Sequence, residues 1–159
     1  MSEWHGVYLC KQGIYADAVL KFRMDFPKQY PKQMPRVLFT TPVFHPLVDP
    51  ASGQLRLQTE FSEWAVGKDW VIQVLLYMKK IFHLEMYYSL ENEIDNAWNP
   101  EAFNLYHSKF QVFVDRCLDC VELSIRDRFD QEANRNSFKL SEPNEVSEKI
   151  LARIYEFIE

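Results

Sequence analysis

The stretch Phe26-Pro27-Lys28-Gln29-Tyr30-Pro31-Lys32-Gln33-Met34-Pro35-Arg36-Val37-Leu38-Phe39-Thr40-Thr41 decides how the chain is read. Proline fixes φ and brings no backbone donor, so three prolines at four-residue spacing forbid helix and continuous sheet. Arg36 to Thr41, directly after them, is apolar and β-branched, which suits a strand. Upstream, Ala18 to Phe26 alternates: Ala18, Leu20, Phe22, Met24 and Phe26 on one side, Lys21, Arg23 and Asp25 on the other. That period of two marks a half-buried strand. Val7 to Cys10 is a further short strand, ended by the turn signal Gln12-Gly13.

Downstream the prolines continue with Pro42, Pro46 and Pro50, so this segment is expected to be an ordered surface path anchored by Tyr30 and Phe44. Asp49-Pro50-Ala51-Ser52-Gly53 reads as a turn, and Leu55 with Leu57 as a candidate short fourth strand. The rest is helical. Asp69 is a candidate N-cap for a helix whose apolar positions are Val71, Val74, Leu75, Met78 and Phe82. Asn99-Pro100-Glu101 is a start signal: cap, proline at the first helical position, acid in the first turn. Phe103, Tyr106, Phe110, Phe113, Val114, Cys117 and Val121 then form one stripe. A last helix is expected from Pro143-Asn144, with Val146, Ile150, Ile154 and Phe157 inward. Strands first and helices afterwards indicate an α+β domain. The expected division is 1–125 for the core, 126–140 for a charged linker and 141–159 for a C-terminal helix.

The 159 residues carry a net charge of −5, so a nucleic-acid-coating role with a basic face is excluded. No apolar run approaches the roughly 18 residues of a membrane helix, and residues 1–10 do not read as a signal peptide. Three cysteines make an odd count, which points to a reducing compartment rather than a disulfide framework. Cys117 and Cys120 form a CxxC without two further ligands at zinc spacing, so Cys117 is expected in the core and no metal is expected. Cys10 is expected to be buried likewise. Tyr87-Tyr88 and Trp98 flank an irregular stretch, where aromatics serve either as loop packing or as a partner anchor.

The flap Tyr30-Pro31 with Pro35, then a strand, then His45-Pro46-Leu47, resembles the ubiquitin-conjugating enzyme fold, with its YPxxxP flap and HPN tripeptide. Trp64 resembles the tryptophan that follows that family's active-site loop, and Asn99-Pro100-Glu101-Ala102 with Tyr106 resembles its NPEAxxxY helix start. The resemblance covers about residues 4–125. Within the fold, Pro42-Val43-Phe44-His45-Pro46-Leu47-Val48-Asp49-Pro50 followed by Ser52-Gly53 looks like the fused toes family, also called the AKT-interacting protein family. Gly6-Val7, Gly13 with Tyr15, and Phe129-Asp130-Gln131 resemble it too.

The resemblance implies an antiparallel β-meander followed by helices. The family has an N-terminal helix before the first strand, and this chain starts at about that strand: either the sequence is truncated or the helix is missing. In the family the catalytic cysteine lies three positions past a glycine; counted from Gly53, that position is Arg56, a permanently protonated side chain and no nucleophile. The HPN asparagine, proposed to stabilise the oxyanion or its loop, is Leu47, which has no donor. Ubiquitin transfer needs a thiolate, so no enzyme activity is expected, Arg56 and Leu47 are vestigial, and His45 is expected to brace the loop. Tyr30, Pro31, Pro35, His45, Pro46 and Trp64 are the fold signature.

The fused toes resemblance further implies an adaptor subunit in a complex with a Hook-type coiled coil and an FHIP-type subunit, linked to dynein-driven endosome and vesicle traffic. It also implies contact with an AKT-type kinase. The expected location is cytoplasmic, peripheral on endosomes or vesicles, with no cofactor, nucleic acid or inserted membrane segment. Two other readings stand beside it. One is a regulatory variant that binds ubiquitin and an active conjugating enzyme. The other is a peptide-binding module in which Arg56 contacts a carboxylate.

Overall fold

The computed structural model describes residues 2–89 and 97–128, the side chains of 88 and 89 excepted. Three strands form one antiparallel sheet in the order β1 (Ser2–Leu9), β2 (Val19–Phe26), β3 (Arg36–Phe39). Gly6 stands opposite Phe22, and Phe22 opposite Phe39, which fixes the register across all three. Among the described residues four helices follow: α1 (Val71–Lys80), α2 (Leu84–Ser89), α3 (Pro100–Ser108) and α4 (Phe110–Arg126). The expected α+β order of an antiparallel meander before helices is the observed one.

The alternation in β2 places Leu20, Phe22, Met24 and Phe26 in the core. Its outward partner Asp25 is also buried, contrary to the expectation of an exposed face. Arg23 shares that face two residues away and holds the carboxylate, Nη2 to Oδ2 at 3.1 Å. The first strand begins at Ser2 rather than Val7, because pairing with all of β2 extends it past its apolar residues. Leu55 and Leu57 form no fourth strand among the described residues. Gln54 and Leu55 make only single bridges, to Leu38 and Val48, because the tight turn before them leaves no length for a ladder.

Asp69 is not the cap of α1. Its Oδ2 accepts the Ala65 amide at 2.6 Å and closes the preceding turn. The helix starts one residue later, where Gln73 Oε1 accepts the Trp70 amide at 2.6 Å. Asn99 does cap α3, its Oδ1 accepting from the Ala102 amide at 3.0 Å, with Pro100 in the first turn. The single stripe from Phe103 to Val121 is split over two helices. Lys109 leaves the helical region (φ −145°, ψ 62°), and α4 starts afresh at Phe110. Neither proline nor glycine marks this break, so the apolar spacing ran across it unseen. Phe103, Phe113, Cys117 and Val121 are buried as the stripe predicts, whereas Phe110 is half exposed.

Helix α4 is tied to the sheet where Ser124 Oγ accepts the Val19 amide at 3.0 Å. Phe82, just past α1, is an aromatic hub packed on the sheet. It meets Tyr15 at 5.0 Å, Tyr8 at 5.7 Å and Phe39 at 5.8 Å. Helix α4 continues through Arg126 with Asp127 as its C-cap, so the expected linker at 126–140 starts inside the helix. The linker beyond Arg128, the helix expected at 141–159 and the Phe129-Asp130-Gln131 match lie outside the described residues. No described helix is long and apolar enough to cross a membrane.

Candidate functional site

The proline path folds back so that Val48 bridges Leu55 and the turn between them brings residues 47 and 56 together. The Asp49 amide donates to the Gln54 carbonyl at 2.9 Å, and the Gly53 amide to the Asp49 carbonyl at 2.8 Å. The Asp49 carboxylate accepts the Ala51 and Ser52 amides and the Ser52 hydroxyl. Those bonds, the Ser52 hydroxyl foremost, hold its pKa below the usual carboxylate range. Gly53 takes φ +72°, a conformation open to glycine, and its carbonyl accepts the Phe39 amide at 2.8 Å.

The Arg56 amide then donates to the Leu47 carbonyl at 2.8 Å. The Leu47 side chain is fully buried. Arg56 is half buried, with its guanidinium carbon 5.9 Å from the centre of the Trp98 ring. The Arg56 carbonyl accepts the Tyr77 hydroxyl of α1 at 3.3 Å.

His45 braces this loop. Its Nδ1 accepts the Leu47 amide at 3.0 Å, so the ring proton sits on Nε2, which donates to the Ile81 carbonyl at 2.9 Å. The ring is completely buried, and burial lowers its pKa from 6.5 to about 4. The ring is thus neutral at pH 7 and committed at both nitrogens. Pro46 adds the tie to the helices: its carbonyl accepts the amides of Trp98 (2.9 Å) and Asn99 (3.0 Å).

The signature residues fall into two groups. His45 and Pro46 sit with Leu47 and Arg56. Tyr30, Pro31 and Trp64 meet at the flap, where Trp64 Nε1 donates to the Pro31 carbonyl at 2.8 Å and the Tyr30–Pro31 bond is cis. Pro35 is buried at the start of β3.

The three thiols lie elsewhere. Cys10 and Cys117 are buried and Cys120 is half buried. Burial raises the pKa of all three, that of Cys117 to about 12. Cys117 donates to the Phe44 carbonyl at 3.4 Å. Thiolate, the nucleophilic form, is therefore scarce at all three near neutral pH. Among the described residues no three metal-ligating side chains gather into a cluster.

Tyr87 is loop packing: its ring is buried 4.8 Å from His45, 5.1 Å from Tyr106 and 5.6 Å from Phe113. Sequence reasoning missed three supports of the loop. Ile81 and Tyr77 contribute through a carbonyl and a hydroxyl that no spacing rule marks. Tyr15 carries no local signal beyond the family resemblance, yet its hydroxyl both donates to the Phe44 carbonyl (2.8 Å) and accepts the Phe44 amide (2.9 Å).

The model of the ubiquitin-conjugating enzyme family matches residues 1–121. The chain is similar to the AKT-interacting protein of Homo sapiens, 36% identical over 141 residues. That match takes in 87% of this chain and 45% of the relative. With the AKT-interacting protein of Danio rerio it shares 37% identity over 145 residues, 91% of this chain and 45% of the relative. The chain thus spans less than half the length of these curated relatives. A solved structure of a ubiquitin-conjugating enzyme from Plasmodium yoelii superposes with a TM-score of 0.61 at 19% identity. The superposition takes in 76% of this chain and 73% of the other.

Proposed function

Because this chain belongs to the ubiquitin-conjugating enzyme family, we propose that it keeps the family's fold as a non-catalytic adaptor and has given up thioester transfer. One observation carries the reading. Three positions past Gly53, where the family resemblance calls for the nucleophilic cysteine, stands Arg56, hydrogen-bonded through its amide to Leu47, which takes the HPN asparagine position. Arginine cannot attack a thioester. Leucine cannot stabilise developing negative charge. Of the thiols that remain, Cys10 and Cys117 are buried and Cys120 is half buried, and burial raises the pKa of each.

What the fold then offers is a rigid surface. The similarity to AKT-interacting proteins supports protein partners. In this reading the partners are a Hook-type coiled coil and an FHIP-type subunit, with an AKT-type kinase as a further contact, and the setting is dynein-linked endosome and vesicle traffic. The protein is then cytoplasmic and peripheral on those membranes.

Two measurements test it. Incubation with activating enzyme, ATP and ubiquitin is expected to give no dithiothreitol-sensitive adduct; such an adduct at any cysteine refutes the non-catalytic reading. Affinity purification of the full chain from cytosol is expected to recover a Hook-type protein, and its absence under conditions that retain other partners refutes the adaptor assignment.

A further inference from the structure

The sheet has two edges, and they differ. Beyond β3 the chain returns: the Phe39 amide donates to the Gly53 carbonyl at 2.8 Å and the Leu55 amide to the Val37 carbonyl at 2.9 Å, so that edge is covered. Strand β1 is the other edge and pairs with β2 alone.

The register decides which of its backbone groups face out. Leu9 stands opposite Val19, and the next pair along, Cys10 and Ala18, is bonded, the Cys10 amide donating to the Ala18 carbonyl at 3.0 Å. Bonded and non-bonded pairs alternate in an antiparallel ladder. Ser2, Trp4, Gly6 and Tyr8 therefore bond to β2, while the amides and carbonyls of Glu3, His5, Val7 and Leu9 point away from it. The β3 side agrees. There the Thr40 amide donates to the Lys21 carbonyl at 2.9 Å, which leaves the even-numbered residues of β2 for β1. Among the described residues nothing bonds to the backbone of those four outward positions.

Natural edges are blunted by lysine, proline, bulges or short length. β1 runs for 8 residues, SEWHGVYL, in unbroken register and has none of these. Both of its faces are open beside the edge: Trp4 on the core side is 53% exposed and Leu9 on the opposite side 56%.

A row of outward donors and acceptors is matched along its length by another extended polypeptide. This strand matches itself. Set antiparallel with Gly6 facing Gly6 of a second copy, Glu3 falls opposite Leu9 and His5 opposite Val7. These are bonded pairs, so every outward amide and carbonyl of both copies is used at once. No like charges stand opposite one another. Trp4, held on one side by Phe26 at 4.8 Å, falls opposite Tyr8 of the second copy. That is a non-bonded pair, where side chains lie closest and an aromatic pair contributes most. Gly6 puts no side chain at the axis, and the Phe22 ring already fills the space beside it: a methyl group there would meet that ring at 2.5 Å.

We infer that two copies of this chain join edge to edge through β1, antiparallel about a two-fold axis at Gly6, so that their sheets become one. The inference rests on β1 alone and does not depend on Arg56, Leu47 or the adaptor reading.

The test uses the full chain at about 10 μM and about 1 mM, because protomer concentration sets the populations. Sedimentation is expected to show a monomer passing to a dimer. Amide exchange is expected to slow at the higher concentration at Glu3, His5 and Val7, whereas Trp4, Gly6 and Tyr8 are protected at both. Val7→Pro removes an outward donor and leaves the bonds to β2 in place, and dimerisation is expected to weaken about ten-fold or more. His5→Pro acts on the same bonded pair and serves should the first variant not fold. A monomer throughout, or a dimer that both prolines leave intact, overturns the proposal. A proline-sensitive dimer in which mixed labelling finds no contact between Trp4 of one copy and Tyr8 of the other overturns the register.

Discussion

The Arg56 amide donates to the Leu47 carbonyl at 2.8 Å, and the side chains of the two residues have opposite fates. Leu47 is sealed in the core, whereas Arg56 reaches toward Trp98 at the half-buried edge. The two positions are therefore unequal in energy. Leu47→Asn forfeits the burial of a leucine and places an amide where Leu47's backbone bonds to His45 and Arg56 are already made. The expected loss is about 4 kcal/mol. Arg56→Cys removes the cation–π contact with Trp98 at a half-buried edge and is expected to cost less than the loss at Leu47. Urea midpoints for the two variants check this. Equal midpoints would mean that Leu47 is not the core residue its burial indicates.

His45 makes the stability depend on pH. Its folded pKa, lowered by burial to about 4, lies below the unfolded value of 6.5. Below pH 6.5 the unfolded chain takes up a proton that the folded chain refuses. The stabilisation is complete above 6.5 and is lost as pH falls toward 4. At about pH 4.5 the deficit is on the order of 2–3 kcal/mol relative to neutral pH. The geometry agrees, since a protonated Nδ1 would face the Leu47 amide donor. The expected outcome is that unfolding free energies fall over this window in the parent and fall less in His45→Gln. Parallel curves would show that His45 titrates normally.

How far the sequence carried this site follows from what each residue contributes. Asn99-Pro100 was legible because capping and proline geometry are local, and the cap forms as written. His45 was legible as a brace, and it holds two backbone groups. Lys109 was not legible: the break between α3 and α4 sits on a residue without helix-stopping chemistry, and the stripe kept its spacing through it. Asp25 was misplaced because alternation records direction and not cover, and the cover came from Arg23 on the same face.

The thiols give a third prediction. Cys10 and Cys117 are buried, Cys120 is half buried, and burial raises the pKa of each. A thiol reagent at neutral pH is expected to modify Cys120 alone in the native protein, more slowly than a free thiol, because both exposure and thiolate fraction are reduced. Peptide mapping after brief alkylation checks the site. Labelling of Cys117 at the same rate would place it at the surface and break the Tyr15–Phe44–Cys117 packing described above.

Gly53 and Gly67 form a matched pair for the last prediction. Both take positive φ, +72° and +83°, so alanine is strained at either, by about 1 kcal/mol. Their surroundings differ. A methyl group on Gly53 would lie 2.3 Å from the Phe39 carbonyl oxygen, which is backbone and cannot step aside, whereas at Gly67 nothing lies within 4 Å. The Gly53 carbonyl and amide also bond to Phe39 and Asp49, so relief of the clash means losing the turn that sets Arg56 against Leu47. Gly53→Ala is expected to cost about 3 kcal/mol or more. Gly67→Ala is expected to cost only the conformational strain. Thermal unfolding of the two variants under one buffer separates these effects. Similar losses would mean that strain alone governs both glycines and that the turn tolerates displacement from β3.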